Sequence, residues 1–148
     1  MARLLIVGGG CRGLSLAQEL GAQGHACRIT TRTEAGRAAI EAVGGECVIG
    51  TPDVIGTLRA ALDNVTVLMW LLGTVDEAPL HGSRWRFMLE RTIDTTVRGV
   101  IYERGTDEGV SNTVELAEYN GIPHALIDAR TDPWQPAARA AIDRLLSA

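Results

Sequence analysis

The chain contains no lysine; all fourteen of its basic residues are arginine. That absence excludes Schiff-base chemistry and any mechanism in which a lysine ammonium lowers a neighbour's pKa. Cysteine is scarce and odd in number. Cys11, Cys27 and Cys47 form no Cys-x-x-Cys pair, which reads as free thiols in a reducing cytoplasm and not as a disulfide framework. Long apolar runs are also lacking. The longest candidate, residues 65–72, carries Thr66 and falls far short of a membrane span, so no membrane partner is expected. Residues 4–7 are too few for the apolar region of a signal peptide, and glycines follow at once. An excess of positive charge is missing as well: the net charge is −4 and the pI about 5.3, which argues against nucleic acid as a partner. With no His-x-x-x-His spacing, no paired cysteines and no acidic cluster, no metal site is expected.

What is present is an ordinary globular composition, 46% hydrophobic and 22% charged over 148 residues. The expectation is one domain spanning residues 1–148 with a real core. Short, near-continuous apolar runs predict strands at Arg3–Val7, Ala26–Thr30, Glu46–Ile49, Val65–Trp70, Arg98–Tyr102 and Ala125–Ile127. Helical spacing predicts helices over Gly13–Ala22, Glu34–Val43, a segment opening at Thr51-Pro52-Asp53 with Thr51 as cap and Pro52 at the first helical position, Ser83–Asp94, Gly109–Asn120 and a last one from Asp132-Pro133. In the third helix Val54, Leu58, Ala61 and Leu62 are expected inward. Strict strand–helix alternation predicts an α/β fold: a doubly wound parallel (Rossmann) sheet of about six strands in the order 3-2-1-4-5-6.

The first strand runs into Gly8-Gly9-Gly10-Cys11-Arg12-Gly13 and then a helix. A dinucleotide pyrophosphate needs that order of parts. Gly8 permits the tight turn, Gly10 lets phosphates approach the backbone, Gly13 lets the helix pack on the strand, and the helix N-terminus offers unpaired N–H groups. The bland alternative is a glycine turn with no ligand. At the end of the second strand, where an NAD-preferring protein places Asp or Glu, stand Thr30-Thr31-Arg32-Thr33. Two of these hydroxyls and the guanidinium suit a 2′-phosphate and offer nothing that would repel it, so NADP is expected over NAD, with Arg12 as a second positive charge. The alternative reading makes Arg12 and Arg32 solvated loop residues.

Ligands in such sheets sit beyond the carboxyl ends of the strands. Thr51 or Asp53 is then expected near the adenine, and Leu72, Gly73 and Thr74 along the nicotinamide ribose, with Gly73 allowing close approach. Proton donors beside a nicotinamide would come from Thr74, Tyr102, Glu103 and His81. Tyr102 is the catalytic candidate; its alternative is a strand-end tyrosine that packs its ring. His25 and His124 are expected to be structural.

The runs residues 4–14, Gly24-His-Ala-Cys-Arg-Ile-Thr-Thr-Arg32 and Gly44-Gly-Glu-Cys-Val-Ile-Gly50 resemble the NAD(P)-binding half of atypical short-chain dehydrogenase/reductases, relatives of NAD-dependent epimerases and dehydratases. The resemblance covers residues 2–73 and thins afterwards. It implies a Gly-Asp at the third strand's end, where this chain has Gly50-Thr51. It also implies a Tyr-x-x-x-Lys pair, whereas Tyr102 is followed by Thr106 and Tyr119 by Pro123. Many relatives continue into a substrate-binding region past the last helix seen here. Two functions follow as expectations. One is a small NADP-dependent reductase or epimerase-like oxidoreductase, its substrate held partly by a second copy in a homo-oligomer. The other is a non-catalytic dinucleotide-binding sensor or regulatory module.

Overall fold

The computed structural model describes residues 2–147. Strands β1 (Arg3–Gly8), β2 (Ala26–Thr31), β3 (Glu46–Ile49), β4 (Val67–Leu71), β5 (Gly99–Glu103) and β6 (His124–Ile127) form one parallel sheet in the order β3-β2-β1-β4-β5-β6. This is the expected Rossmann-like arrangement. The order reverses between β1 and β4, where Ile6 lies opposite Met69 and Gly8 opposite Leu71.

Strand alternation divides the core into two layers. Leu4, Ile6, Met69 and Ile101 face α1 (Gly10–Ala22) and α6 (Trp134–Leu146). Leu5, Val7, Leu68, Trp70 and Tyr102 face α4 (Ser83–Thr92) and α5 (Asp107–Tyr119). Every residue of β4 and β5 is buried, as central strands covered on both faces require. The remaining helices are α2 (Arg37–Ala42) and a single turn, α3 (Ala78–His81).

Several boundaries differ from the sequence-based expectation. Helix α1 starts at Gly10, three residues before Gly13, because Gly9 takes a left-handed conformation and serves as its N-cap. Helix α5 starts at Asp107, where the Thr106 hydroxyl accepts from the Gly109 N–H at 3.0 Å. The segment after Thr51 is not an α-helix. Thr51 bridges Val54, and two 3₁₀ turns follow at Ile55–Thr57 and Arg59–Leu62. Val54, Ile55 and Thr57 are β-branched and Gly56 sits among them, which disfavours a continuous helix. Leu58, Ala61 and Leu62 are buried as expected, but Val54 is exposed. Among the described residues, no helix is long and apolar enough to cross a membrane.

Candidate functional site

The glycines of the first loop do not all meet the same physical demand. Gly8, Gly9 and Gly10 have φ of 82°, 89° and 53°, so the chain leaves β1 through a run of left-handed backbone that side chains disfavour. A Cβ on Gly8 would lie 2.6 Å from the Leu71 carbonyl oxygen, and one on Gly13 would lie 3.2 Å from the Gly8 carbonyl. Both are close backbone approaches. A Cβ on Gly10 would meet nothing within 4 Å. The bare face of Gly10 is therefore turned to open space at the N-terminus of α1, where helix N–H groups lack intrahelical partners. Gly8, Gly10, Cys11 and Arg12 line a crevice of about 440 Å³ together with Leu72 and Thr74, at the point where the strand order reverses. These residues fit a dinucleotide pyrophosphate: the cradle is the space that a side chain at Gly10 would fill.

At the far end of β2, Arg32 is not a free guanidinium. It pairs with Asp53 at 2.6 Å, and Thr51 Oγ1 lies 3.2 Å from the same carboxylate. The hydrogen bond from Arg32 is the chief cause holding the Asp53 carboxyl below the usual carboxylate range. The expectation that nothing near Arg32 would repel a 2′-phosphate is therefore corrected, since an ionised carboxylate stands beside it. Thr31 lies on the same strand end, its hydroxyl donating to the Thr33 carbonyl at 3.2 Å. Thr51, expected to cap a helix, instead donates its backbone N–H to Thr57 Oγ1 at 2.8 Å.

Arg12 points elsewhere than the Arg32 end. Its Nη1 donates to the Ala129 carbonyl at 2.7 Å, and its guanidinium lies 5.4 Å from the centre of the Trp134 ring. The expectation of a second charge beside the 2′-phosphate is thus corrected: the β6–α6 loop draws the side chain to the opposite side of the glycine turn. Gly73 is also placed for a different reason than expected. A Cβ there would lie 2.6 Å from Glu103 Cγ and 2.9 Å from the Arg104 carbonyl, so its missing side chain admits Glu103.

Three of the four proton-donor candidates, Tyr102, His81 and Glu103, are buried and hydrogen-bonded to neighbours. Tyr102 is fully buried, its ring stacked on Trp85 at 5.7 Å, and Trp85 in turn on Trp70 at 4.9 Å. Its hydroxyl lies 2.6 Å from His81 Nδ1 and accepts from the Gly105 and Thr106 N–H groups at 3.3 and 3.4 Å. His81 Nε2 lies 3.0 Å from the Val75 carbonyl, which only accepts. That fixes the proton on Nε2, and Tyr102 donates to Nδ1. Tyr102 as a catalytic residue is corrected accordingly: it projects into the layer shared with α4 and α5, and its hydroxyl is already engaged. Glu103 is buried on the other face. Its Oε1 accepts from the Gly73 N–H at 2.8 Å and its Oε2 from Trp134 Nε1 at 2.9 Å. Of the four donor candidates, Thr74 and Glu103 line the crevice, and of these two Thr74 is exposed and Glu103 buried.

Arg12, Ala129, Trp134, Glu103 and Gly73 thus form one connected set that ties the glycine loop to the ends of β4, β5 and β6. Trp134 was absent from the sequence-based site. Its signal was a tryptophan, the costliest residue to leave exposed, directly after the turn that follows β6. The thiols divide by burial: Cys11 is exposed, whereas burial pushes the Cys27 thiol up to about 11. Among the described residues, no group of three or more potential ligands is gathered for a metal ion.

No family model matches the sequence, and no curated protein matches it. Solved structures do match in fold. Vestitone reductase from alfalfa (Medicago sativa) aligns with a TM-score of 0.66 at 14% identity, over 86% of this chain and 56% of that one. A UDP-glucuronic acid 4-epimerase from Bacillus cereus, solved with NAD, gives 0.65 at 11% identity over 85% and 55%. The triphenylmethane reductase of a Citrobacter species, solved with NADP(H), gives 0.63 at 16% identity over 85% and 48%. The chain spans about half the length of these proteins. What the likeness defines is the class of fold, the Rossmann-like α/β sheet shared with reductases and epimerases.

Proposed function

We propose that this chain binds a dinucleotide, NADP(H) in preference to NAD(H), across the β1–α1 loop and forms the cofactor-holding part of a reductase-type oxidoreductase. The observation that carries this reading is the open face of Gly10 within a left-handed glycine turn at a helix N-terminus. Bound there, the cofactor would supply hydride. The chain's own residues would hold the pyrophosphate on backbone N–H groups, bury the floor of the site with Leu72, and meet the adenosine end with Thr31, Arg32 and Thr51. A second reading, a non-catalytic binder, is favoured by one specific observation. Tyr102, His81 and Glu103 are all buried and engaged with neighbours, which leaves only the Thr74 hydroxyl of the expected donors exposed at the crevice. Turnover of aldehydes or ketones with NADPH by the purified protein decides for the first reading. Tight cofactor binding without turnover decides for the second.

Binding itself is tested through Cys11. This exposed thiol lines the crevice, so saturating NADPH should slow its reaction with a maleimide, while an equal concentration of adenosine should not. An unchanged labelling rate at Cys11 would count against occupancy of the loop.

Cofactor preference rests on the Arg32–Asp53 pair. An exposed pair of this kind contributes little, so a 2′-phosphate can take over the guanidinium. Arg32→Ala should weaken NADP(H) binding about tenfold, the scale of one charge-assisted contact, and leave NAD(H) nearly unchanged. Asp53→Asn should strengthen NADP(H) binding by up to about fivefold, because the repelling carboxylate is gone. Calorimetric titration of both cofactors into both variants gives the comparison. Equal affinities of the parent protein for NADP(H) and NAD(H) would remove the preference.

A further inference from the structure

Beside the glycine-loop crevice, and sharing Arg12 and Thr74 with it, lies a second cavity of about 620 Å³ at the carboxyl ends of β5 and β6. Three arginines line it from three separate parts of the chain: Arg12 from α1, Arg104 from the loop after β5, and Arg130 from the loop after β6. None of the three forms an ion pair among the described residues. Two carboxylates also line the cavity, Asp107 and Asp128, so the wall carries a surplus of one positive charge in a chain whose net charge is −4. Asp128 is partly engaged, since its Oδ1 accepts from the Arg130 backbone N–H at 2.8 Å. Arg12 is held in place before any ligand arrives by the Ala129 carbonyl and the Trp134 ring. A preordered guanidinium loses less freedom on binding, and its planar fork matches a carboxylate or phosphate.

We propose that this cavity is the substrate site, and that it takes a small organic anion, a carboxylate- or phosphate-bearing carbonyl compound held by Arg104 and Arg130 with Arg12 at its inner edge. The inference rests on the dinucleotide reading above, which places hydride chemistry beside Gly73 and Thr74, residues that line this cavity. It goes beyond that reading by naming the charge of the substrate and the residues that select it. Thr106 adds a polar wall but is committed to its cap contact with Gly109.

The test starts with NADPH fluorescence titration of the intact protein. Succinate and inorganic phosphate are then titrated calorimetrically into the NADPH-saturated protein, with succinamide as the neutral counterpart. At least one of the two anions should bind while NADPH stays bound, and succinamide should not. Whichever anion binds shows whether the site suits carboxylate or phosphate. Arg104→Ala and Arg130→Ala should each weaken anion binding about tenfold, and both should leave NADPH affinity and thermal stability unchanged, since both side chains are exposed. If NADPH itself fails to bind, the dinucleotide reading falls and this inference falls with it. If NADPH binds and neither anion does, only the present inference is overturned. Displacement of NADPH by the anion overturns it too, because the cavity would then be part of the cofactor's own site. Anion binding of parental strength in both variants overturns it as well, since the two guanidiniums would then not hold the anion.

Discussion

Gly10→Val should reduce NADP(H) affinity at least about a hundredfold while leaving a folded protein, the loss of two charge-assisted contacts at roughly 1.5 kcal/mol each. Two separate properties of the same glycine produce the two halves of that result. A Cβ at Gly10 meets no atom of the rest of the fold within 4 Å beyond its own chain neighbours and helix backbone, so the first carbon of a side chain there has room. The backbone is left-handed at φ 53°, which costs an L-residue about 1–2 kcal/mol. A domain stable by about 5–15 kcal/mol tolerates that strain. What the side chain does fill is the open space against which a pyrophosphate would lie. Gly13→Ala makes the contrast. Its Cβ would press on the Gly8 carbonyl at 3.2 Å and on Ile6 Cγ2 at 3.5 Å, so its cost should appear in thermal stability before it appears in affinity. Circular dichroism establishes folding for both variants, and NADPH fluorescence titration gives the affinities. Parental affinity in a folded Gly10→Val protein would mean that the glycine turn is structural and that the proposed site is wrong.

The architecture was legible because each of its signals is local. Six short apolar runs separated by helical periods specify a parallel sheet covered on both faces, and the strand order follows from the handedness of the crossovers. The backbone geometry at Gly8, Gly10 and Gly13 was legible for the same reason, since a turn, an open face and a helix–strand contact are all set within a few residues. What was not legible depends on partners far along the chain. Arg12 is turned by Ala129, which lies 117 residues away, and Glu103 is held by Trp134, 31 residues away. The pairing of Arg32 with Asp53 likewise joins the ends of two strands that no local pattern connects. The parity of β5 was in principle readable. Tyr102 follows Ile101 and must face the opposite layer, but which layer holds the cofactor's reacting end is decided by where α3, α4 and α5 pack. The break in the helix after Thr51 was present in the sequence as Val54-Ile55-Gly56-Thr57, four poor helix formers. Thr51-Pro52 has the form of a helix start, but the residues after it cannot continue one.

Gly109→Ala should destabilise the protein by about 2 kcal/mol or more, against the usual direction of a glycine-to-alanine change inside a helix. In a helix interior that change normally stabilises by up to about 1 kcal/mol. Here the added methyl would overlap the Tyr102 hydroxyl and its ring carbon Cζ, and the ring cannot withdraw because Trp85 stacks on it. Gly105 is constrained in the same way, its bare face lying against the His81 ring. The two glycines therefore mark the space that the buried Tyr102–His81 pair occupies. Tyr102→Phe tests the pair from the other side. It leaves His81 Nδ1 without its donor and removes an acceptor from the Gly105 and Thr106 N–H groups, an expected loss of about 1–3 kcal/mol. Because the hydroxyl is the first atom the Gly109 methyl would meet, the double variant should be less destabilised than the sum of the two, by at least about 0.5 kcal/mol. Urea unfolding of the parent, both single variants and the double variant supplies the cycle. NADPH affinity should be unchanged in Tyr102→Phe, since the hydroxyl lies in the α4–α5 layer, away from the glycine-loop crevice. A Tyr102→Phe protein of parental stability that had lost cofactor binding or turnover would return this hydroxyl to the active site and remove the structural role argued for it.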